Sequence, residues 1–322
     1  MVDVSTPADP TQLAIYNPAG VGISTKSVYA MTLKNNYLYA LFAGYDSSGT
    51  VQDGLYVIDY SNRTSPFLLG SFNTGSSYHY GIALEGNYAF IAAGSSNTGL
   101  YILDISNPAN ISQKGFLSHS SLYDVVLKDN YAIVAQDNGI SIAEVTNKAS
   151  PSLTSSLNTL GSIHSVAVAG NMVQAGSTYG LYYIDVSDMS NPLLVGHYHV
   201  PWTAEDVAIA NNLSYVATLY NGNNSSGTYI LSHSQPSYNA HILQASASST
   251  LSYKINWDNT VNDVFSDCKV SGGSCVLSNH NRTVNSVDVS WTLPRVSGDY
   301  QMAVIVGDSH FFTSAWTKIR VQ

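Results

Sequence analysis

Charge is the scarcest resource of this 322-residue chain: only 10% of its residues are Asp, Glu, Lys or Arg, about half the usual share. The 12 Lys and Arg are outnumbered by 21 Asp and Glu, the net charge is −9, and no basic run occurs. Binding a phosphate backbone needs clustered cations, so a nucleic-acid partner is not expected. No run of 18 apolar residues occurs, which excludes a membrane-spanning helix. No charged-then-apolar leader opens the chain; Met1-Val-Asp-Val reads directly into a strand, so a secreted form would carry its leader upstream or have lost it. P-loop, dinucleotide, HExxH and GxSxG patterns are missing as well, and no cofactor is expected.

What is abundant is Gly, Tyr and small polar residues, arranged in a repeat. GLYILDISNPANI at residues 99–111 returns as GLYVIDYSNRTSP from Gly54, GISIAEVTNKASP from Gly139 and GLYYIDVSDMSNP from Gly180. A truncated copy, VDVSTPADP, begins at Val2, and a degraded one, GTYILSHSQPS, at Gly227. A motif that returns every 40 to 50 residues is an architectural unit before it is an active site. Asp and Ser side chains that follow a strand fold back onto nearby amides, so the motif reads as a turn.

Aligning these turns aligns what precedes them. YAMTLKNNYLYALFA from Tyr29, YGIALEGNYAFIAAG from Tyr80, YDVVLKDNYAIVAQD from Tyr123, HSVAVAGNMVQAG from His164 and EDVAIANNLSYVAT from Glu205 each alternate, turn and alternate again. That is a hairpin signal. A third strand ends in the Asp turn and a looser fourth follows. Bulky residues recur on one flank of the first strand, at Met31/Leu33, Ile82/Leu84, Val125/Leu127, Val166/Val168 and Val207/Ile209. The residue between them is mostly small: Thr32, Ala83, Val126, Ala167 and Ala208. Bulky flank against small flank is how successive four-stranded blades stack.

GLYILDISNP and GNYAFIAAG resemble the LVIVD-repeat β-propeller proteins of bacterial and archaeal surfaces, over roughly residues 2–235. The resemblance implies an extracytoplasmic propeller used as a scaffold or binding module, and brings no catalytic set. The expected fold is all-β: a β-propeller of about five four-stranded blades with an N-terminal half-blade over residues 1–235, then an Ig- or PKD-like β-sandwich over 236–322. The chain opens on third- and fourth-strand copies, Val2–Ser5 and Leu13–Pro18, with no first or second strand. Either they complete the last blade beside residues 205–219, or their edge pairs with further blades or another subunit.

Residues 240–322 lose the period but keep alternating strands such as LSYKINW and SVDVSWTLP. Trp257, Trp291 and Trp316 fall on strand patterns and read as core. Cys268 and Cys275, in DCKVSGGSCVL, face one another across a Ser-Gly-Gly turn if it closes a hairpin. A disulfide there would contribute roughly 2–3 kcal/mol and favour an oxidising exterior; the alternative is two reduced thiols. Asn62, Asn110, Asn212, Asn223, Asn224 and Asn281 are N-glycosylation acceptors by pattern.

The expected functional ring lies where the innermost strands begin. Tyr29, Tyr80, Tyr123, His164 and Glu205 occupy one aligned position, and Asp124 and Asp206 follow two of them. His79 and Trp202 are near in sequence. Aromatic faces with hydrogen-bonding tips suit carbohydrate or peptide; tyrosines that merely cap an inter-blade core are the plainer reading. His197-Tyr198-His199 is a candidate metal pair on one strand face, or simply a polar rim strand. Two functions stand. The first is a non-catalytic cell-surface binding or structural protein, such as an adhesin, surface-layer or filament component, holding carbohydrate or protein and self-assembling through the sandwich or the N-terminal edge strands. The second is a secreted glycoside hydrolase or polysaccharide lyase acting at the channel mouth.

Overall fold

A computed structural model describes residues 1–16, 23–46, 53–75, 78–94, 97–158, 161–198, 200, 203–210, 213–219, 227–232, 243–245, 248, 250–256, 265–270, 274–281, 286–296, 298–307 and 312–321. All regular structure among them is β, and no helix long and apolar enough to cross a membrane is found there. They fall into two compact units, Met1–Asp137 with Ser141–Thr154, and Asn138–Ile140 with Ser155–Gln322.

The first unit opens with β1 (Val2–Asp3) and β2 (Thr11–Gln12), which pair with each other in a sheet of their own. Blade one follows as β3 (Ile23–Lys34), β4 (Tyr37–Asp46), β5 (Gly54–Asp59) and β6 (Phe67–Asn73). Blade two is β7 (His79–Glu85), β8 (Tyr88–Ala93), β9 (Gly99–Asp104) and β10 (Ser112–Ser118). Blade three is β11 (Leu122–Lys128), β12 (Tyr131–Gln136), β13 (Gly139–Glu144) and β14 (Ser152–Asn158), whose last strand runs into the second unit. Blade four is β15 (Ile163–Ala169), β16 (Met172–Ser177), β17 (Gly180–Asp185) and β18 (Leu193–Tyr198). Blade five has three described strands, β19 (Thr203–Ala210), β20 (Leu213–Leu219) and β21 (Gly227–Ser232). These are the blades of a five-blade β-propeller, strands in sequence order within each sheet.

Period-two alternation decides which neighbour each residue meets. In β5, Leu55 and Val57 join the core shared with blade two, where Ile82, Leu84, Ile91 and Leu103 come from the other side. Tyr56 and Ile58, between them, face the opposite way and pack with Phe42 and Tyr16. The next interface repeats the scheme, with Leu100 and Ile102 of blade two against Val125, Val134 and Val145 of blade three. In the second unit Leu181 meets Val207 and Val216. In blades one to four both flanks of the middle strands are therefore buried, which is why they carry so few charges.

The Asp turn is punctuation, as its recurrence suggests. Ser5 N, Ser61 N, Ser106 N and Ser187 N donate to Asp3, Asp59, Asp104 and Asp185 Oδ1 at 2.7 to 2.9 Å. A second turn of the same kind follows at Asn62, Asn107, Asn147 and Asp188, whose Oδ1 atoms accept from the amide two residues on. The strand end is also pinned to the neighbouring hairpin, through Ile105 N to Asn87 O and Val186 N to Asn171 O, both at 2.8 Å. At that hairpin Gly86 takes φ 52° and Asn35 φ 55°, a left-handed value that glycine and asparagine tolerate.

Two expectations need correction. Among the described residues β1 and β2 pair with each other, and the third-strand place in blade five, for which Val2–Ser5 is a candidate by sequence, is taken by β21. The second strand of that ladder is also shorter and earlier than the expected Leu13–Pro18. The cysteines, for their part, do not sit on one hairpin. The C-terminal residues form two sheets, β22 (Leu243–Ala245), β28 (Phe312–Val321), β27 (Gly298–Gly307) and β24 (Phe265–Val270) in that order, and β23 (Thr250–Asn256), β26 (Ser286–Thr292) and β25 (Ser274–Asn281). Cys268 is on β24 and Cys275 on β25, in different sheets, and the Ser-Gly-Gly segment between them lies outside the described residues. The side chain of Cys268 lies outside the described residues.

Trp291 is fully buried on β26, with Leu251 and Cys275 as its register partners. Trp257 lies outside the described residues, as does the side chain of Trp316. Fourth strands elsewhere are largely exposed, yet Leu193, Leu194 and Val195 of β18 are buried. The reason is that β18 lies against β27 and β28.

Candidate functional site

The five ring residues share a structural device. In β7 His79 pairs with Ala93 and Gly81 with Ala92, so Tyr80 is an extra residue without a cross-strand partner. The same skip falls on Tyr29 between Val28 and Ala30, on Tyr123 between Leu122 and Asp124, on His164 between Ile163 and Ser165, and on Glu205 between Ala204 and Asp206. Each is the extra residue of a β-bulge, a device that turns a side chain out of the ladder next to binding sites. First strands are also the ones that approach across blades: β7 lies between β3 and β11 in the first unit, and β15 beside β19 in the second.

In the first unit three successive bulges make a continuous aromatic row. Tyr29 meets Tyr80 edge-on, with centroids 5.4 Å apart and planes at 79°, and Tyr80 meets Tyr123 at 5.5 Å and 48°. Tyr78, which period-two spacing places on the same side as Tyr80, stacks on it at 5.9 Å and 5° and touches Tyr29 edge-on. Edge-on and offset contacts are the favoured aromatic geometries. Tyr123 donates its hydroxyl proton to Asp137 Oδ1 at 2.8 Å, which fixes the end of the row. Burial, then this bond, pushes the Tyr123 phenol up to about 12, and burial raises Tyr29 and Tyr80 as well. Tyr29, Tyr80 and Tyr123 thus stay protonated and neutral at any physiological pH. Gly94 makes room for it, since a Cβ there would sit 2.5 Å from Tyr80 Cε2.

Asp124 and Asp206, expected among the ligand groups, serve the bulges. Val125 N donates to Asp124 Oδ1, and Val207 N to Asp206 Oδ1, both at 2.8 Å. Each aspartate also abuts the preceding blade. A Cβ on Gly81 would lie 2.5 Å from Asp124 Oδ1, and Ser165 Oγ donates to Asp206 Oδ1 at 2.9 Å. In the second unit His164 Nδ1 and Glu205 Oε2 stand 3.5 Å apart, both partly exposed. Ser165 Oγ, next to His164 in sequence, also accepts from Val207 N at 3.2 Å, which ties it to the bulge of the next blade.

His79 belongs beneath the row instead of at a mouth. It is 0% exposed, its Nε2 bonds Thr74 Oγ1, and its Nδ1 has no hydrogen-bond partner among the described residues. Burial holds its pKa down at about 4. Trp202 and His199 lie outside the described residues. His197 Nε2 is 2.9 Å from Tyr179 O and its ring stacks on Tyr182 at 4.4 Å, a structural placement. Among the described residues no three His, Cys, Asp or Glu side chains gather as metal ligands.

Tyr78 and Asp137 escaped the sequence reading. The Tyr-His-Tyr run at 78–80 signals the first, because alternate residues share a face. The bulges also left a trace: buried first-strand residues are spaced by three across the ring position, as Leu122 to Val125 and Ile163 to Val166, before the period of two resumes.

The LVIVD repeat profile matches residues 49–74, 78–117, 121–159 and 160–200. The chain carries LVIVD repeats from the later strands of blade one through blade four, and blade five, outside the matched residues, keeps the same bulge at Glu205. No curated protein matches the chain.

Proposed function

We propose that this chain is a non-catalytic binding protein of the cell exterior whose tyrosine row holds a neutral glycan. One observation carries this reading: three consecutive bulges, with Tyr78, set four phenol rings in unbroken contact. Pyranose rings present apolar C–H faces that lie on such surfaces, while the hydroxyl tips bond sugar oxygens. A protein partner is the competing occupant. Catalysis is disfavoured because Asp124 and Asp206 are committed to main-chain amides, leaving Glu205 with His164.

The low charge and small polar surface support an extracellular setting. The C-terminal residues are read as an Ig-like sandwich that spaces or assembles the propeller. Their support is seven strands in two sheets, with β22 parallel to β28 and a buried Trp291 beside Cys275 on the central strand of its sheet. A Cys268–Cys275 bond would then cross-link the two sheets. Alkylation with and without reductant, read by mass, decides it: protection only before reduction is expected, and two freely alkylated thiols would refute it.

The test of function is a panel of neutral oligo- and polysaccharides screened against the whole chain and against Tyr80→Ala. Binding without product release, weakened at least about tenfold by the substitution, is expected. Glycan cleavage would establish the enzyme reading, and no difference between the two proteins would remove the tyrosine row from the site.

A further inference from the structure

We propose that the tyrosine row takes three consecutive glucose units of a coiled glucan and discriminates against flat, ribbon-like chains. The inference rests on the glycan reading above and adds the number of sugar units and the linkage class. Each of the first three blades contributes one bulge ring, Tyr29, Tyr80 and Tyr123, all half-buried. Their centroid spacings are nearly equal, 5.4 and 5.5 Å, because the same bulge recurs in first strands that lie side by side, β3, β7 and β11. That pitch is close to the length of one pyranose unit along a chain, so successive rings meet successive sugars. A single sugar covers one ring and leaves the others unused. Glucose carries its hydroxyls equatorially and leaves both ring faces to C–H bonds, the fullest match to a phenol face.

The ring planes decide the shape of the chain. They differ by 79° between Tyr29 and Tyr80 and by 48° between Tyr80 and Tyr123. A β-1,4-linked glucan is a flat ribbon whose sugar faces lie in nearly parallel planes, so it can lie on one of these rings but not on its neighbours as well. In α-1,4- and β-1,3-linked glucans each sugar is rotated against the last and the chain curls, so its faces can follow the rings. The row is not free to flatten. Tyr78 stacks on Tyr80 with planes 5° apart and meets Tyr29 edge-on. Gly94 lies close under Tyr80, and the Tyr123 hydroxyl is tied to Asp137. Turning Tyr29 or Tyr123 parallel to Tyr80 would break one of these contacts. Rings fixed before the ligand arrives lose little freedom on binding.

The test is calorimetry of the whole chain with glucose and with glucose oligomers of two to six units in α-1,4, β-1,3 and β-1,4 linkage, so that length and shape vary while the sugar does not. In at least one coiled series, affinity is expected to rise about three- to tenfold with each unit up to the trimer and then level off. The β-1,4 trimer should bind at least about tenfold more weakly. Tyr29→Ala and Tyr123→Ala each remove an end ring, and each should bind the coiled trimer no better than the dimer. The length and linkage series needs only the unmodified chain, so it stands even if a variant fails to fold. Glucose binding as tightly as the trimer, a β-1,4 series matching the coiled ones, or no glucose oligomer binding would each overturn the proposal and leave the glycan reading to the wider panel. A panel without any binder would remove both.

Discussion

His79 makes the tyrosine row's foundation sensitive to acid. Its imidazole is wholly buried, bonded to Thr74 through Nε2, and lacks a described acceptor for a proton on Nδ1. Burial therefore favours the neutral ring and lowers the pKa from an ordinary 6.5 to about 4. A histidine depressed in this way contributes stability that is complete above pH 6.5 and is lost as pH falls toward 4, because only the unfolded chain takes up the proton. That interval, at about 1.4 kcal/mol per pH unit, is worth about 3 kcal/mol. His79→Gln keeps a polar atom for Thr74 but cannot titrate. Urea unfolding of both proteins from pH 7 to 4 is the assay. The wild type should lose about 3 kcal/mol more than the variant, with a slope of about one proton near pH 5. Asp59 and Asp104, held low by Ser61 and Ser106, begin to lose their contributions near the bottom of this window, but equally in both proteins, so they cancel in the difference. Parallel curves for the two proteins would refute the reasoning.

Other perturbations follow from single contacts. Gly81→Ala should cost about 1–3 kcal/mol in urea unfolding, since its Cβ would meet Asp124 Cα at 2.6 Å and Val125 N at 2.9 Å, which are main-chain atoms. Asp185→Ala removes the bond from Ser187 N and should lower stability by about 1 kcal/mol with glycan affinity unchanged. Lys148→Ala should cost about 1–2 kcal/mol by thermal melting, because its ammonium bonds Glu85 at 2.9 Å and lies 5.2 Å from the Phe90 ring centroid, joining blade three to blade two. Tyr123→Phe keeps the ring but releases Asp137; calorimetry should show glycan binding weakened by about two- to tenfold, whereas Tyr123→Ala should lose more.

Much of this was legible in residue order alone. The alternation of Leu55, Tyr56, Val57 and Ile58 is both the strand and its two interfaces, and Asp104 with Ser106 announces the turn because short polar side chains reach their own backbone. The ring position was legible for the same reason: a repeat aligns its equivalent residues. What stayed hidden depends on distant chain. Nothing local in DCKVSGGSCVL tells a hairpin from a passage to the other sheet, since a Ser-Gly-Gly sequence suits either. VDVSTPADP reads as a third strand wherever its partner lies, and β1 is a strand end that kept its turn, Asp3 to Ser5, without joining a full blade. Asp124 and Asp206 looked like ligand groups because a carboxylate's use by the amide of the next residue leaves no mark on composition.

The bulges have one more implication. A residue that pairs with nothing across the ladder can be exchanged without moving its neighbours' register, so Tyr29, Tyr80, Tyr123, His164 and Glu205 form an alphabet that is written separately from the scaffold. Descendants of such a chain can change what they hold by substitutions at these five positions, and a protein engineer can graft new chemistry there while the stacked sheets keep their shape.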